Sequence, residues 1–434
     1  MNRFQTEYNA KKCTVSDALA GIHSNDIIVC GGSALEPRAI LNEMHTIADS
    51  CENVTVFVAV GTTPYPFMVD PQYKASFRTH CNFKMGAGRQ AHRLNLSDTV
   101  PADLHLGERY WAREHKPTVF ISQATPMDEN GYLRISIALL HEMEGLEQAD
   151  RVILEVNPNV PVAEGDNLVH ISQVDQIVEV DYGMPIVPKS QISEVERAIG
   201  ENIAALVNDG DTIQLGIGSI PDAAAMSLMS KHDLGVHTEM ITSSMRDLVQ
   251  AGVITNRKKT LNNGKLVGSF VMGTQELYDW VDHNPDVLML RGCYVNDPHI
   301  ISQQENMISI NNGLCADLGG QICSESIGSL HYSGSGGQFV TAYGAFLAPG
   351  GRNVIALRSV AHTKKGDVPA ITAQLPLGSV VTLPRNYIDY IVTEYGAARL
   401  SGLTIRERVD ALIAISHPDY RAELRHDADR LLLW

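Results

Sequence analysis

SEVERAIGENIAALVNDGDTIQLGIGSIPDAAAMSLM, residues 193–229, is the stretch that determines the fold class. It begins with Ser193 and, three positions later, Glu196, which is the pattern of a capping box at the start of a helix. Four apolar residues then fall on one face of that helix: Val195, Ile199, Ile203 and Leu206. This spacing predicts an amphipathic helix with the apolar face buried.

The same stretch continues with a turn, a strand and a second helix. Asp209 and Gly210 end the first helix, and a short apolar run at 212–215 predicts a strand. Glycines and a serine follow, and Pro221 is expected in the first turn of the next helix, where a missing N–H is tolerated. Residues 17–44, DALAGIHSNDIIVCGGSALEPRAILNEM, repeat this order. The repeat predicts two α/β domains of similar design, with mostly parallel sheets covered by helices.

The length of the chain supports two domains. At 434 residues it exceeds what one hydrophobic core holds, since cores stop growing at roughly 250–300 residues. The segment VDYGMPIVPKSQ, residues 180–191, has two prolines, one glycine and no usable periodicity, which is typical of a crossing between domains. We therefore predict an N-terminal domain over 1–190 and a C-terminal domain over 191–434.

The composition excludes several classes of partner. With 34 basic against 50 acidic residues, the net charge of −16 repels nucleic-acid phosphates and anionic lipid surfaces. The seven cysteines include no Cys-x-x-Cys pair, and no Cys/His set has metal-ligand spacing, so we expect a reducing compartment and no metal. No stretch resembles a signal peptide or approaches the ~18 apolar residues that cross a bilayer. We predict a cytoplasmic protein that binds neither nucleic acid nor membranes.

The turn formed by Gly216 and Gly218, between the predicted strand and the next helix, would present backbone N–H groups to a phosphate. A dinucleotide fingerprint needs a third glycine for close helix–strand packing, but Ile220 and Pro221 occupy the closing positions. This difference disfavours a nicotinamide-dependent dehydrogenase. From the pattern alone, a phosphate-binding turn and a plain turn between strand and helix are equally good interpretations.

Glu239 is a second candidate. It lies in LGVHTEMITSSMRDLVQAG, residues 234–252, after a short predicted strand and before a helix whose cap is expected at Ser243 or Ser244. Open α/β sheets place ligand groups at strand ends. A carboxylate there can be a base, a metal ligand, a partner of the helix dipole or a nucleophile, although most such glutamates are only solvated or capping. Position alone leaves these roles open.

The loop HYSGSGGQF, residues 331–339, is a third candidate. Its three glycines let the backbone approach a ligand and offer N–H groups to an oxyanion. A flexible linker is the alternative interpretation, but the apolar flanks favour a binding loop. Two other catalytic patterns are missing, because His141-Glu142 lacks the second histidine of a zinc protease and the glycines beside Ser335 lack the spacing of a serine-hydrolase elbow.

Six motifs together point to one family. In chain order they are IQLGIGSIPDAA, LGVHTEM, YVNDPHIISQQENMISIN, YSGSGGQ, YIVTEYG and SHPDYRAEL. Weaker matches in the first half are ATPMDENGYLRISI and VNPNVPVAEGDNLVHIS. With these motifs in register over nearly the whole chain, the sequence resembles the acetyl-CoA hydrolase/transferase family, in the branch of the 4-hydroxybutyrate, butyrate and itaconate CoA-transferases.

The resemblance implies two open α/β domains of the CoA-transferase (NagB/RpiA-like) type, an active site at the domain interface and a homodimer. It implies that Glu239 is catalytic and that coenzyme A and acyl-CoA are substrates, with no tightly bound cofactor. The positions that it assigns to CoA binding are Gln214, Leu215, Gly216, Ile217, Gly218, Leu314 and Gly337. Further candidates for lining the active site are Asn311, Gly336 and Gln338.

The implied chemistry is transfer of CoA by a ping-pong mechanism through a glutamyl-CoA thioester on Glu239. Acetyl-, succinyl- or butyryl-CoA would be the donor, and itaconate, 4-hydroxybutyrate or butyrate the acceptor. An acyl-CoA hydrolase that uses the same glutamate is the alternative within enzymes. A non-catalytic CoA-binding protein is the alternative outside enzymes, and it is disfavoured because Glu239 is present.

Four stretches depart from the pattern of the family. Val162-Ala163 stands where Arg-Thr is common, GGQFVTAYG lacks an aspartate, KKGDVPAITAQL lacks an arginine, and LNLSDTVPADLH replaces a GRADYTP-like stretch. A standard acetate/butyrate enzyme is therefore disfavoured, and HYSGSGGQ favours an itaconate-type enzyme. A dicarboxylate would need a basic partner, and the candidates are Arg78, Arg89, Arg93 and Lys364.

Overall fold

The computed structural model describes residues 3–107, 115–364 and 366–433. The chain divides into two compact units. Unit 1 contains the residues up to Val187 together with Val267–Val295. Unit 2 contains Pro188–Leu266 and the residues from Asn296 onward.

The segment Val267–Val295 departs from the single boundary that we predict near residue 190, because it returns to unit 1. Hydrogen bonds within unit 1 account for this return. The Leu139 backbone N–H donates to the Ser269 carbonyl over 2.8 Å, and the Gly292 N–H donates to the Leu139 carbonyl over 2.7 Å. Arg291 Nη1 also donates to Glu147 Oε2 over 2.9 Å. These three contacts join residues more than a hundred positions apart in the sequence, so no local pattern reveals them.

Unit 1 is built on a seven-stranded parallel sheet. Its strands in spatial order are Gln176–Glu179, Arg151–Val156, Val119–Ala124, Ile27–Cys30, Val54–Val58, Phe77–Cys81 and Ser97–Thr99. The central strands are nearly continuous apolar runs because helices cover the sheet. The helices among its described residues are Arg3–Lys11, Val15–Leu19, Arg38–Glu43, Pro66–Val69, Gly86–Arg93, Glu142–Gln148, Gln275–Val281 and Gly292–Val295.

Shorter elements complete unit 1. Tyr132–Arg134 and Leu168–His170 form an antiparallel pair, and Val287–Met289 pairs in parallel with Glu164–Gly165. The strand Leu266–Val271 begins at the boundary between the units. The 3₁₀ turns are Ser33–Leu35, Met44–Ser50, Pro71–Tyr73, Leu104–Leu106 and Ile171–Gln173.

Unit 2 contains six neighbouring strands, of which only the edge strand Gly396–Arg399 is antiparallel to its neighbour. In spatial order they are Gly396–Arg399, Tyr390–Thr393, Arg352–Ala356, Met307–Asn312, Thr212–Leu215 and Gly235–Ile241. The helices are Glu194–Ala204, Ser219–Ser227, Ser243–Gln250, Pro298–Ile301, Gln338–Leu347, Ile405–Ile415 and Arg421–Arg430.

Three small sheets lie outside these six strands. One contains Cys315–Asp317, Ile322–Cys323 and Ile371–Thr372. The hairpins are Ser326–Ile327 with Leu330–His331, and Val360–Thr363 with Gly366–Pro369. The 3₁₀ turns are Leu228–Ser230, Arg385–Tyr387 and Pro418–Tyr420.

The predicted α/β class is confirmed, and so is the local order of residues 193–229. The helix Glu194–Ala204 starts with the Ser193 capping box, and the strand Thr212–Leu215 follows it. One detail differs, because Val195 is 38% exposed whereas Ile199 and Ile203 are buried. Val195 lies in the first turn of the helix, where the buried side chain is instead the carboxylate of the capping box. No helix in the described part of the chain is long and apolar enough to cross a membrane.

Candidate functional site

The carboxyl ends of the parallel strands in unit 2 form one edge of the sheet, where open α/β sheets bind ligands. Three predicted site residues lie at this edge. Glu239 is on the strand Gly235–Ile241, Gly216 directly follows the strand Thr212–Leu215, and Asn311 is on the strand Met307–Asn312. The pairing of Ile213 with Val236 and of Leu215 with Ile310 brings them to about the same level.

Glu239 is partly buried, and its carboxyl accepts two hydrogen bonds. Asn296 Nδ2 donates to Glu239 Oε2 over 3.0 Å, and the Gly337 backbone N–H donates to the same carboxyl. Burial is the largest influence and raises the pKa of Glu239 to about 7, although both hydrogen bonds lower it. At neutral pH the carboxyl is therefore poised between its two protonation states.

Gly337 brings the backbone against the Glu239 carboxyl. A Cβ atom at this position would collide with Glu239 Oε2 and with Asn296 Nδ2. Gly337 is also the N-cap of the ten-residue helix Gln338–Leu347, so the positive end of that helix faces the carboxylate. The absence of a side chain is what permits the contact.

The predicted cap of the helix after Glu239, Ser243 or Ser244, is wrong by one or two residues. Thr242 is the N-cap, and its side chain accepts a hydrogen bond from the Met245 backbone N–H. Ser243 is the first residue of the helix, and Ser244 donates instead to Asp222 Oδ1 over 3.0 Å. Thr242 has the extended backbone that a cap requires, which both serines lose by entering the helix.

The glycine turn has a backbone conformation that favours glycine. Gly218 has a φ of 121°, which disfavours any side chain, and it caps the helix Ser219–Ser227. A Cβ at Gly216 would approach Asn311 Oδ1 to 2.9 Å. Asn312 Nδ2 donates to the Ile217 carbonyl over 3.1 Å and holds the turn, while the Ile217 side chain is 37% exposed.

Two predicted residues meet in a buried polar network rather than on the surface. Asn311 Nδ2 donates to Gln214 Oε1 over 3.0 Å, and Ser309 Oγ donates to the same oxygen over 2.9 Å. Thr341 Oγ1 accepts from Asn311 Nδ2 over 3.2 Å. Leu215 is only 2% exposed. The side chains of Gln214, Asn311 and Leu215 are therefore buried next to the glycine turn and support it.

The loop at 331–339 is joined to the glycine turn by Asn312. Gln338 Nε2 donates to the Asn312 carbonyl over 3.0 Å, and Gly336 has a φ of 53°. Leu314, two residues beyond Asn312, is 36% exposed. The predicted residues Gly337, Gln338 and Leu314 are thus brought to the same region of unit 2 as the glycine turn.

Sequence reasoning assigns no role to Asn296 or Asn312. Asn296 lies in the quoted motif YVNDPH, directly before Asp297, which caps the helix Pro298–Ile301. It is fully buried, and it lies 57 positions from Glu239 in the sequence. The motif marks this region as special, but no local signal selects Asn296 over its neighbours.

The four basic residues predicted for a second carboxylate are divided between the two units. Arg78, Arg89 and Arg93 belong to unit 1, and Lys364 belongs to unit 2. Arg78 Nη1 lies 3.5 Å from Asp98 Oδ2 on the surface. Lys364 is exposed and follows the strand Val360–Thr363. Each remains a separate candidate.

Both halves of the sequence match domains of one family. Residues 1–188 match the acetyl-CoA hydrolase/transferase N-terminal domain, and residues 273–428 match the C-terminal domain. The chain is 39% identical to the 4-hydroxybutyrate coenzyme A transferase of Clostridium kluyveri over 423 residues, which cover 97% of each chain. It is 37% identical to the succinyl-CoA:cyclohexane-1-carboxylate CoA transferase of Geobacter metallireducens, over 99% of this chain and 97% of that one.

A solved structure shows the same fold. The 4-hydroxybutyrate CoA-transferase of Porphyromonas gingivalis is 32% identical, with a TM-score of 0.83 over 99% of this chain and 100% of that chain. The matches span both halves of the sequence and nearly its full length. The chain therefore belongs to the acetyl-CoA hydrolase/transferase family.

Proposed function

We propose that this protein transfers CoA from an acyl-CoA to a small carboxylic acid through a glutamyl-CoA thioester on Glu239. The observation that carries the proposal is the Glu239 carboxyl, which is desolvated, contacted by the Gly337 N–H and Asn296 Nδ2, and level with the glycine turn. The two curated relatives described above are both CoA transferases by name.

The first half-reaction uses the ionised carboxylate as a nucleophile. A Glu239 oxygen attacks the thioester carbonyl carbon, the C–S bond breaks, and CoA leaves as the thiolate. The product on the enzyme is a mixed anhydride. The thiolate then attacks the glutamyl carbonyl and releases the donor acid as its carboxylate, which leaves CoA bound to Glu239 as a thioester.

The second half-reaction reverses these steps with a new acid. The acceptor carboxylate attacks the glutamyl thioester, CoA leaves and returns to the acyl carbonyl, and free Glu239 is regenerated. One thioester is broken for each one formed, so no nucleotide hydrolysis is required. Burial of the carboxyl protects the anhydride from water, which would otherwise convert transfer into hydrolysis.

The two groups that donate hydrogen bonds to Glu239 can also stabilise the tetrahedral intermediates of the reaction. When the glutamyl carbonyl is attacked, negative charge develops on its oxygen, and the Gly337 N–H and Asn296 Nδ2 are placed to receive it. Loss of one such donor typically raises the barrier by about 2.7–4 kcal/mol. Because these donors are held by a helix start and a buried asparagine, they need little reorganisation during the reaction.

We expect the rate of glutamyl-thioester formation to rise with pH and to level off above about 7. Only the ionised carboxylate attacks, and burial raises its pKa to about 7. Asn296→Ala removes a donor that lowers this pKa, so its profile should shift to higher pH. Single-turnover rates from about pH 5.5 to about pH 9 test this. A wild-type profile that is flat or falls as pH rises would contradict the assignment.

The identity of the acids belongs to the same proposal. Acetyl-, succinyl- or butyryl-CoA is proposed as the donor, and itaconate, 4-hydroxybutyrate or butyrate as the acceptor. The names of the two relatives support 4-hydroxybutyrate and succinyl-CoA among these. The preference for itaconate stays a prediction from HYSGSGGQ, and the homodimer stays a prediction from the resemblance.

An acyl-CoA hydrolase is the second candidate, because the matched family includes hydrolases by name. Both activities would use Glu239, and they differ in the acceptor. A transferase consumes acyl-CoA in repeated turnovers only when a free carboxylic acid is present as acceptor. A hydrolase does not need that acid. Measuring thioester loss with and without added acid separates the two.

Trapping the covalent intermediate tests the main proposal. The protein is mixed with each candidate acyl-CoA and then with borohydride, which reduces a glutamyl thioester to an alcohol and leaves a loss of about 14 Da. We expect this loss to map to Glu239 in wild type and to be absent in Glu239→Ala. If no acyl-CoA produces it, the covalent mechanism is wrong, and hydrolysis or simple CoA binding becomes the better account.

A further inference from the structure

Two cysteines face each other in the three-stranded sheet of unit 2. Cys315 is paired with Cys323 across the antiparallel strands Cys315–Asp317 and Ile322–Cys323, and the two thiols are free and hydrogen-bonded to each other. Residues directly opposite each other in such a pair have Cα atoms about 4.5–5.5 Å apart, and a disulfide requires about 4.4–6.8 Å. The backbone of this cysteine pair therefore already has the separation that a disulfide needs.

The turn that joins the two strands is held by Asp317. Its Oδ1 accepts from the Gly319 backbone N–H over 3.0 Å and from the Gln321 backbone N–H over 2.9 Å. The Asp317 N–H also donates to the Gln321 carbonyl over 3.1 Å. These contacts fix the register of the strands, so the cysteine pair stays opposed.

The two sulfurs share one proton. The hydrogen bond from the Cys315 thiol is the largest influence on the pKa of Cys323 and lowers it to about 5, with further hydrogen bonds from Ser326 and Glu325. The same contact raises the pKa of Cys315, and burial adds to that effect. Cys323 Sγ is held 3.4 Å from Ser326 Oγ and 3.2 Å from the Ser326 carbonyl. The cysteine pair therefore carries a thiolate at neutral pH.

The two cysteines differ in exposure. Cys315 is partly exposed, whereas Cys323 is buried. An oxidant reaches the exposed sulfur first, and the buried sulfur is placed to react with the product. Cysteines that sense oxidants commonly combine an accessible thiolate with a neighbouring cysteine that closes the disulfide.

Metal binding is the other common use of neighbouring cysteines. A structural zinc site takes four ligands. No group of three or more metal-ligating side chains occurs within residues 3–107, 115–364 and 366–433. A disulfide needs only the two sulfurs, and in the reducing compartment that the sequence predicts such bonds are transient and serve as redox sensors.

Short contacts join the cysteine pair to Asn312, the residue that holds the glycine turn. The Leu314 backbone N–H donates to the Cys323 carbonyl over 2.9 Å, and Ser324 Oγ donates to the Asn312 carbonyl over 3.3 Å. Covalent bonding draws the two sulfurs closer than a hydrogen bond does. Because Asp317 fixes one end of the strand pair, we expect the resulting displacement at the other end, where Leu314 and Ser324 lie.

We propose that Cys315 and Cys323 form a reversible disulfide when a hydroperoxide oxidises the protein, and that this bond lowers CoA transfer by displacing Asn312. The second part rests on the proposed function, because CoA transfer is the activity that it affects. The first part is independent of it.

The oxidation takes place in two steps. The shared proton moves to Cys323, the Cys315 thiolate attacks the terminal oxygen of the hydroperoxide, the O–O bond breaks, and an alkoxide leaves and takes a proton from water. The product is a sulfenic acid on Cys315. Cys323 Sγ then attacks Cys315 Sγ, the S–O bond breaks, and the departing hydroxide takes the Cys323 proton to form water. The two sulfurs together lose two electrons, and the hydroperoxide is reduced to an alcohol and water.

Mass spectrometry tests the disulfide without any measurement of transfer. The full chain is treated with hydrogen peroxide, unfolded and labelled with a maleimide. We expect two fewer of the seven cysteines to react, and a loss of about 2 Da before labelling that dithiothreitol reverses. Cleavage before Asp317 separates the two cysteines, so the resulting peptides should stay joined only in the oxidised protein. Unchanged labelling, or oxidation of either cysteine to a sulfinic acid in place of the bond, would overturn the proposal.

Transfer rates test the consequence. In peroxide-treated wild type, transfer should fall by about tenfold to 10²-fold, the range expected when positioning groups move by up to about 1 Å, and dithiothreitol should restore it. Cys315→Ser should keep its transfer rate under the same treatment. Cys13→Ser is a matched control, since Cys13 is also partly exposed, and it should respond as wild type does.

The two measurements separate this inference from the proposed function. A disulfide that leaves transfer unchanged would refute the effect on Asn312. If the untreated wild type transfers no CoA but still forms the disulfide, the proposed function fails and the oxidation site stands. If transfer occurs and peroxide inactivates Cys315→Ser as strongly as wild type, the cysteine pair is not the cause of the loss.

Discussion

Glu239→Gln is expected to lower CoA transfer about 10⁴-fold or more, the size of loss seen when an enzymatic nucleophile is removed. The amide keeps the shape of the side chain and can still accept from Asn296 Nδ2 and the Gly337 N–H. It has no ionised oxygen with which to attack the thioester. Initial rates of transfer, measured with the acyl-CoA that gives the fastest wild-type reaction, provide the comparison.

The loss should not come from unfolding. The pKa of Glu239 in the folded protein is about 7, above its ordinary value of 4.5, so the folded state holds the proton more tightly than the unfolded state. Its contribution to stability is present below pH 4.5 and declines as pH rises through 7. A neutral glutamine avoids that decline, and the variant should be at least as stable as wild type at about pH 8.

Glu155→Gln is a matched control for this variant. Glu155 is a buried carboxyl of unit 1 whose pKa burial also raises to about 7, and it accepts from the Ile40 backbone N–H over 2.7 Å. Its variant should retain transfer once folding is verified. Substantial transfer by Glu239→Gln would remove Glu239 from the role of nucleophile.

Gly337→Ala is expected to lower transfer by about 10²–10³-fold, because the added methyl group displaces the donors of the oxyanion. Its Cβ would collide with Glu239 Oε2 and Asn296 Nδ2, so the carboxyl, the amide or the backbone must move. The measurement is kcat/KM for transfer together with the yield of the trapped glutamyl thioester. Both should fall.

Gly183→Ala provides the control for Gly337→Ala. A Cβ at Gly183 meets no atom within 4 Å, so this variant should transfer CoA at the wild-type rate. Equal activity in the two variants would mean that the close approach at Gly337 is unimportant. A loss of folding in Gly337→Ala alone, seen as a lower Tm, would be distinguished by the rate per folded molecule.

Local chemistry explains what could be predicted from the sequence. The helix Glu194–Ala204 and the strand Thr212–Leu215 follow from caps, periodicity and turns within a few residues. The exposure of Val195 could not be predicted in this way. Apolar spacing alone does not say that the neighbouring Glu196 carboxylate turns inward to meet Ser219 and Arg358.

In the candidate site, too, some features could be predicted from local sequence and others could not. Its residues could be predicted because the six motifs that carry them resemble those of one family, and the glycine turn has a backbone that favours glycine. The donation from Asn296 to Glu239 joins residues 57 positions apart, and the Asn312 contacts join the glycine turn to the loop at 331–339. Such contacts depend on the strand order, which local patterns do not encode.

The return of Val267–Val295 to unit 1 has a consequence for synthesis on the ribosome. Domains commonly fold in the order in which they emerge, with the N-terminal one first. Here the first unit cannot be completed when residue 187 emerges, because its remaining segment is translated only after Pro188–Leu266. Two unfinished cores must therefore coexist on the nascent chain, and a release at the first boundary would yield a fragment with part of its core missing.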